Sequence, residues 1–376
     1  MTTFRNRVRT AATQVEAQVA RAGRVFNRGD PDVLEIKSYH GHGTQERLFL
    51  SGRVVRHRGV READADTGRA ANLLNTARRV LNVPVAGVGV QVTLQDRAWQ
   101  GETDDEGYFD VEIALREPLP VDRVWHEIQV QMTGAHARNR GQSRATLRVL
   151  VPLPDADFGV ISDIDDTVVR TDVANWLRMV RIVLFTNAHT RLPFPQVDAL
   201  YKALKAGPTG RGMNPIFYVS SGPWNFYDLL EEFFRAHDIP EGPLFLKDYD
   251  PSLRELLGGG HHEHKTELIR MLFATHPKLP WVLIGDSGQE DAEIYREAVR
   301  EHPGRIRAVY IRDVTAEGRA RDVHAIREEV EALGTPMRLV RDKTEVAEHA
   351  AAHGLIAPEA LRRMRSDEPE GTPPGR

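Results

Sequence analysis

Three carboxylates fall within four positions at Asp163, Asp165 and Asp166, directly after the apolar run at residues 158–161. Carboxylates crowded this closely repel one another and raise each other's pKa unless a cation or a reaction uses them. Ser220 and Ser221 follow a second apolar run, Lys265 follows the glycine-rich stretch GGGHHEH, and Asp286 and Asp291 follow a third run, PWVLI. Acids at the ends of two apolar runs suit a hard divalent cation, and magnesium (Mg2+) prefers a few carboxylates together with water and phosphate oxygens. Hydroxyls and an ammonium supply hydrogen bonds and positive charge to phosphoryl oxygens. The chemistry implied is phosphoryl transfer with a carboxylate as nucleophile.

Such a site forms only if the chain brings these segments to one edge. From Phe158 onward the short apolar runs FGVIS, PIFYVS, PLFLKD, PWVLIGD and RIRAVYIRD alternate with helical stretches, VANWLRMVRIVLF and VDALYKALKA among them. That alternation predicts an α/β fold with a doubly wound parallel sheet. Ligands of such sheets lie beyond the carboxyl ends of the strands, which is where the acids, hydroxyls and lysine stand.

The upstream half reads differently. VLEIKSY, RLFLSGRVV, VGVQVTLQ, GYFDVEIAL, WHEIQVQM and ATLRVLV alternate apolar and polar residues between turns rich in Gly, Asp and Pro. The pattern predicts an antiparallel β-sandwich. Within it GETDDEGYFDVEI resembles the tight hairpin of small prealbumin-like sandwich domains, its aromatic entering the core. Asp104, Asp105 and Glu106 could ligate calcium, but a polar turn accounts for them more simply. Residues 71–82 read as a helix, residues 4–26 as a basic amphipathic helix, and the last dozen as a disordered tail. The expected organisation is an N-terminal helix (1–30), a β-sandwich (31–154), an α/β domain (155–365) and a tail (366–376).

The chain has 376 residues, a net charge of -4, 41% hydrophobic residues and no cysteine. Two domains are the expectation at that length, and disulfides, thiolate metal sites and cysteine nucleophiles are excluded. No basic surface interleaved with aromatics announces nucleic acid. Nothing approaches the ~18 apolar residues of a membrane span, and the N-terminus lacks a signal-peptide core, so the expectation is cytoplasmic.

Asp163-Ile-Asp165-Asp166-Thr167 resembles the first motif of the haloacid dehalogenase superfamily, and Ser220, Lys265 and GDSGQED resemble the second, third and fourth, in order. More narrowly, DIDDTVVRTDV, FYVSSGPWNFYDLLEEFF, IPEGPLFLKD, WVLIGDSGQEDAEIY and VYIRDV resemble the phosphatidate phosphatase family named for its fungal actin-patch protein, in a bacterial-looking version. The resemblance implies that Asp163 attacks phosphorus and that Asp165 shuttles the proton. It implies that Thr167 steadies the loop, that Ser220 binds a phosphoryl oxygen and that Lys265 offsets charge. Magnesium would be held by Asp163, the Asp165 carbonyl and Asp286, with Asp291 as a second ligand or an outer partner. Asp166 receives no role, and Gly222 stands where a polar residue would be expected.

The intervals between motifs leave no room for a large cap over the site, so the substrate expected is a phosphate carried on something large. The resemblance makes that phosphatidate, a lipid phosphate at a membrane surface. The helix at 4–26 would give peripheral contact with the inner membrane face, although docking onto the protein's own body is the simpler reading. Ser221, Arg170 and Arg312 are further candidates for binding substrate phosphate. His261, His262 and His264 suggest a solvated lid more than a zinc site, and Trp176, Trp224 and Trp281 read as core. The alternatives are a phosphatase acting on a phosphoprotein or a nucleic-acid end, and a silent binding module of the same fold.

Overall fold

The computed structural model describes residues 33–56, 83–164, 197–247, 260–288, 290–314 and 317–366. The helices expected at 4–26 and 71–82, the helix ahead of residue 190, Trp176 and the tail from residue 367 lie outside them.

Nine strands make a mixed sheet: Leu34–Ser38 (β1), Gly41–Gly43 (β2), Arg47–Arg56 (β3), Val83–Pro84 (β4), Gly89–Leu94 (β5), Arg97–Glu102 (β6), Tyr108–Ala114 (β7), Trp125–Met132 (β8) and Arg144–Leu150 (β9). The chain divides into two compact units, the first holding Met1–Ser38, Ser51–Val111 and Ile128–Leu147. In this unit β1 runs antiparallel to β3, and β5 antiparallel to both β6 and β8. The acidic hairpin turn is built as a turn. Asp104 accepts through Oδ1 from the Glu106 and Tyr108 amides, and Gly107 takes φ +79° against the Val54 carbonyl. The second aromatic after the glycine, Phe109, is the one that enters the core, while Tyr108 lies half-buried beneath the Arg53 guanidinium.

The second unit holds Tyr39–Leu50, Glu112–Glu127 and Arg148–Arg376. Strand β2 pairs antiparallel with β3 but parallel with β9, so the sheet is not purely antiparallel as expected. Downstream come the strands Gly159–Asp163 (β10), Ile216–Pro223 (β11), Leu244–Lys247 (β12), Trp281–Asp286 (β13), Ile306–Arg312 (β14) and Met337–Val340 (β15). Helices follow or separate them: Val197–Ala206 (α1), Tyr227–Ala236 (α2), Gly260–Thr275 (α3), Asp291–Glu301 (α4), Glu317–Ala332 (α5), Lys343–Ala352 (α6) and Pro358–Ser366 (α7).

All six strands run parallel, in the order β12-β11-β10-β13-β14-β15. The chain moves outward from β10 to β12, then returns to the other side of β10 and moves outward again. The direction of winding therefore reverses between β10 and β13, the crevice where open α/β sheets place ligands. Strands β10 and β13 are buried at every position, as expected of uninterrupted apolar runs covered on both faces. Trp281 and Phe217 anchor the core beneath them, and Leu272, Phe273, Tyr295 and Val309 complete it. Trp281 is core, as expected, whereas Trp224 is half-buried against Tyr39 and Tyr227.

Helix α1 buries Val197, Leu200, Tyr201, Ala203 and Leu204, spaced along one face, and stops at Gly207, whose φ is +66°. Helix α3 begins at Gly260, so His261, His262 and His264 form its opening turns and not the loop expected of them. Glu263 lies in that first turn, where a negative charge favours the exposed amides of a helix start. Among the described residues no helix is long and apolar enough to cross a membrane.

Candidate active site

Each element delivers one group to the crevice. Strand β10 ends on Asp163 and β13 on Asp286; β11 carries Ser220 near its carboxyl end, α4 opens on Asp291 and α3 presents Lys265. All five are buried polar groups, between 0 and 4% exposed. Buried charges persist only when paired or coordinating, so their arrangement has to balance.

Lys265 is the centre of that balance. Its Nζ donates to Asp163 Oδ1 and to Asp291 Oδ1, each at 2.7 Å. Burial alone would lower the pKa of this ammonium, but the charges and hydrogen bonds of Asp163 and Asp291 outweigh it and hold the group charged, above its ordinary range. Asp163, Asp286 and Asp291 offer carboxylate oxygens all within 4.8 Å of one another. Three carboxylates thus converge beside one ammonium.

Asp291 organises its neighbours. While Oδ1 takes the lysine, Oδ2 accepts the Asp286 backbone N–H at 3.1 Å. Asp286 in turn accepts the Gly288 N–H through Oδ1 at 2.6 Å. The loop between β13 and α4 is tied further by Ser287, whose amide donates to the Arg312 carbonyl and whose hydroxyl accepts the Val314 N–H, each at 2.9 Å. Arg319 donates to the Ser287 carbonyl and pairs with Glu293. Ser220 Oγ accepts the Gly222 amide at 2.9 Å, a local turn that directs the hydroxyl at the strand end.

Of the residues singled out from sequence, Asp163, Lys265, Asp286 and Asp291 come together, and Ser220 stands on the strand beside Asp163. Arg312 ends β14 as the cross-strand partner of Asp286 and is half-buried. Asp165, Thr167 and Arg170 lie outside the described residues, as does the side chain of Ser221. Gly285, which stands before Asp286 at the strand end, is a site residue that receives no role from the sequence. A Cβ there would meet Asp291 Oδ2 at 2.6 Å and its Cβ at 2.8 Å, so only glycine lets Asp291 approach the strand. The signal was a glycine directly before an acidic strand end.

A cavity of about 490 Å³ lies elsewhere, lined by His40, Lys205, Glu231, Phe234, Arg235 and Gly242 among others. Its residues flank the amino ends of β11 and β12, the edge opposite the carboxylates, and it takes no part in this site.

Residues 158–313 match the family described as "Phosphatidate phosphatase APP1, catalytic domain". The phosphatidate phosphatase APP1 of Saccharomyces cerevisiae is 32% identical over 155 residues, 41% of this chain and 26% of that protein. An uncharacterized protein of Schizosaccharomyces pombe is 28% identical over 170 residues, 44% of this chain and 27% of its own length. The chain thus spans about a quarter of the curated relatives it matches. Among solved structures, a carbohydrate acetylesterase from Xanthomonas citri aligns over 80% of this chain and 75% of that one at 10% identity and a TM-score of 0.25, which carries no argument. Asp163, Ser220, Lys265, Asp286 and Asp291 all fall inside the matched segment, so the buried cluster belongs to the part of the chain that matches the phosphatidate phosphatase catalytic domain.

Proposed function

We propose that this protein is a magnesium-dependent phosphatase of haloacid dehalogenase type that hydrolyses phosphatidate through an aspartyl-phosphate intermediate. The observation that carries the reading is the 2.7 Å contact between Lys265 and Asp163, buried beside two further carboxylates within the matched segment. A nucleophilic carboxylate needs a partner that fixes its geometry and offsets charge as phosphorus is attacked. Lys265 provides both.

The donor set fits magnesium, since it offers only oxygen ligands and converges within 4.8 Å. Asp163 and Asp286 would hold the ion, with Asp291 ligating or orienting Asp286 from outside. When bound, magnesium would supply charge neutralisation on the transferring phosphoryl group.

In the first half-reaction an Asp163 carboxylate oxygen bonds to phosphorus while the bond from phosphorus to the glyceride oxygen breaks. Asp165, in the role the sequence resemblance gives it, protonates the departing alkoxide. In the second, water bonds to phosphorus, Asp165 takes its proton, and the bond from phosphorus to Asp163 breaks, restoring the carboxylate. Ser220 hydrogen-bonds a phosphoryl oxygen, and Arg312 is positioned near the strand ends to do the same. The lipid substrate, and peripheral membrane contact through the basic residues of 4–26, follow from the similarity to the yeast enzyme and the charge of that segment.

Phosphate release from phosphatidate in mixed micelles and from a soluble aryl phosphate, each with magnesium and each beside Asp163→Asn, tests the reading. Release from phosphatidate that disappears in the variant is expected. Release from the aryl phosphate alone removes the lipid from the proposal, and no release from either removes the enzyme.

A further inference from the structure

We infer that Tyr201 is a positioning residue for the nucleophile, acting through the hydroxyl of Ser162 on the backbone of Asp163; this rests on the phosphatase reading above. Tyr201 stands on the buried face of α1, 1% exposed, with its hydroxyl 2.5 Å from Ser162 Oγ. Ser162 is fully buried at the penultimate position of β10, and its Oγ donates to the Asp163 carbonyl at 2.9 Å. A serine hydroxyl has one proton to give. Since that proton goes to Asp163, the proton between Ser162 and Tyr201 comes from the tyrosine, and the relay runs from Tyr201 to Ser162 to the Asp163 carbonyl.

The same peptide is held at its other end. The Ile164 N–H donates to the Val219 carbonyl at 3.0 Å, so the carbonyl and the amide of the Asp163–Ile164 peptide are both engaged. Its plane is therefore fixed. Lys265 holds the carboxylate of the same residue. The nucleophile is thus secured twice, through its side chain by an ammonium and through its backbone by a tyrosine on a helix that follows much later in the chain. Burial pushes the Tyr201 phenol above its ordinary pKa, so it stays protonated and able to donate. Phenylalanine would fill the same space beside Tyr218, whose ring centroid lies 6.0 Å away, without burying a hydroxyl that needs a partner.

Steady-state kinetics of Tyr201→Phe, Ser162→Ala and the double variant, on whichever phosphomonoester the wild-type protein turns over, test this. Tyr201→Phe is expected to lower kcat on the order of tenfold with KM within about twofold, because loosened alignment slows reaction more than binding. The double variant is expected to match Ser162→Ala alone, since residues of one relay are not additive. A purely structural role would shift the thermal midpoint and leave kcat and its coupling unchanged. Wild-type kcat in Tyr201→Phe, or losses that multiply in the double variant, overturn the inference while the phosphatase reading stands. If Tyr201→Phe fails to fold, Ser162→Ala decides alone: wild-type kcat there overturns the relay. A wild-type protein inactive on every phosphomonoester removes the phosphatase reading and this inference with it.

Discussion

Lys265 donates to Asp163 across 2.7 Å in a site where both side chains are almost sealed from water. The contact costs desolvation of two charges, and Asp291, at the same distance on the lysine's other side, is what makes the ammonium tolerable there. One cation thus holds the proposed nucleophile and the carboxylate that accepts the Asp286 amide.

Removing that cation should be worse for the fold than removing any one acid. Lys265→Met removes the ammonium that bridges Asp163 and Asp291, in a cluster where Asp163, Asp286 and Asp291 lie within 4.8 Å of one another. Loss of one member of a buried ion pair costs about 3–5 kcal/mol, and the variant should show a loss of that order in urea unfolding without added metal.

Magnesium should stabilise the wild-type protein in a concentration-dependent way, because a ligand bound only by the folded state stabilises by mass action, about 2.7 kcal/mol at 100 times its dissociation constant. Thermal unfolding across a magnesium titration reads this without any substrate. Asp286→Asn should flatten the response, and an unchanged response there would move the ion away from β13.

Gly285→Ala should separate Asp291 from the strand. The added methyl would need space now held by Asp291 at 2.6–2.9 Å, so the helix start must shift and the 3.1 Å bond to the Asp286 amide stretch. Overpacking of this kind costs about 1–3 kcal/mol. Activity should fall further than stability does, since Lys265 loses its second partner. Equal wild-type activity in this variant would mean that Asp291 does not set the site's geometry.

Stability should fall below neutral pH through histidines buried as neutral rings. His42 is stacked on Phe49 and meets Phe217 and Phe245 edge-on, and burial, aided by nearby His276, lowers its pKa to about 3. Burial, then Arg305, lowers His276 to about 4. An unfolded histidine titrates near ~6.5, so below that pH the unfolded chain binds protons that the folded one refuses. The contribution of each ring is therefore full above ~6.5 and is lost as pH falls toward its folded value, by up to about 1.4 kcal/mol per pH unit. Comparing urea unfolding at about pH 7.5 and about pH 5.5, His42→Phe should show a smaller drop than the wild type; an equal drop would place the proton elsewhere.

The edge that gathers the carboxylates was legible because its signals are local. An apolar run followed at once by an acid, as in FGVISD and WVLIGD, encodes both the buried strand and the group it presents, and β10 and β13 fall where those runs predicted. The sixth strand, Met337–Val340, was missed because it carries the exposed Arg338 and has no continuous apolar run. The GGGHHEH stretch misled through its glycines, since the helix begins at Gly260, inside them. The relay from Tyr201 could not be read because it depends on a neighbour that folding supplies, and the glycine before Asp286 could be read as a signal but not for what it makes room for. So too with Tyr39, whose ring lies 4.6 Å from Trp224 and 4.5 Å from Tyr227, contacts between residues far apart in the chain.

The central claim is that Asp163 itself bonds to phosphorus. Acid quench of a single turnover with substrate labelled in its phosphoryl group, followed by mass spectrometry of the peptide that spans Asp163, tests it most directly. Because water attacks phosphorus in the second half-reaction, its oxygen enters phosphate and the Asp163 carboxylate regains its own, so the phosphorylated residue itself has to be caught. Label caught on the peptide separates this route from direct attack of water on the substrate. The account predicts phosphate label bound to the Asp163 peptide and released by hydroxylamine. Full turnover with no label on that peptide at any quench time, and undiminished activity in Asp163→Asn, would contradict it.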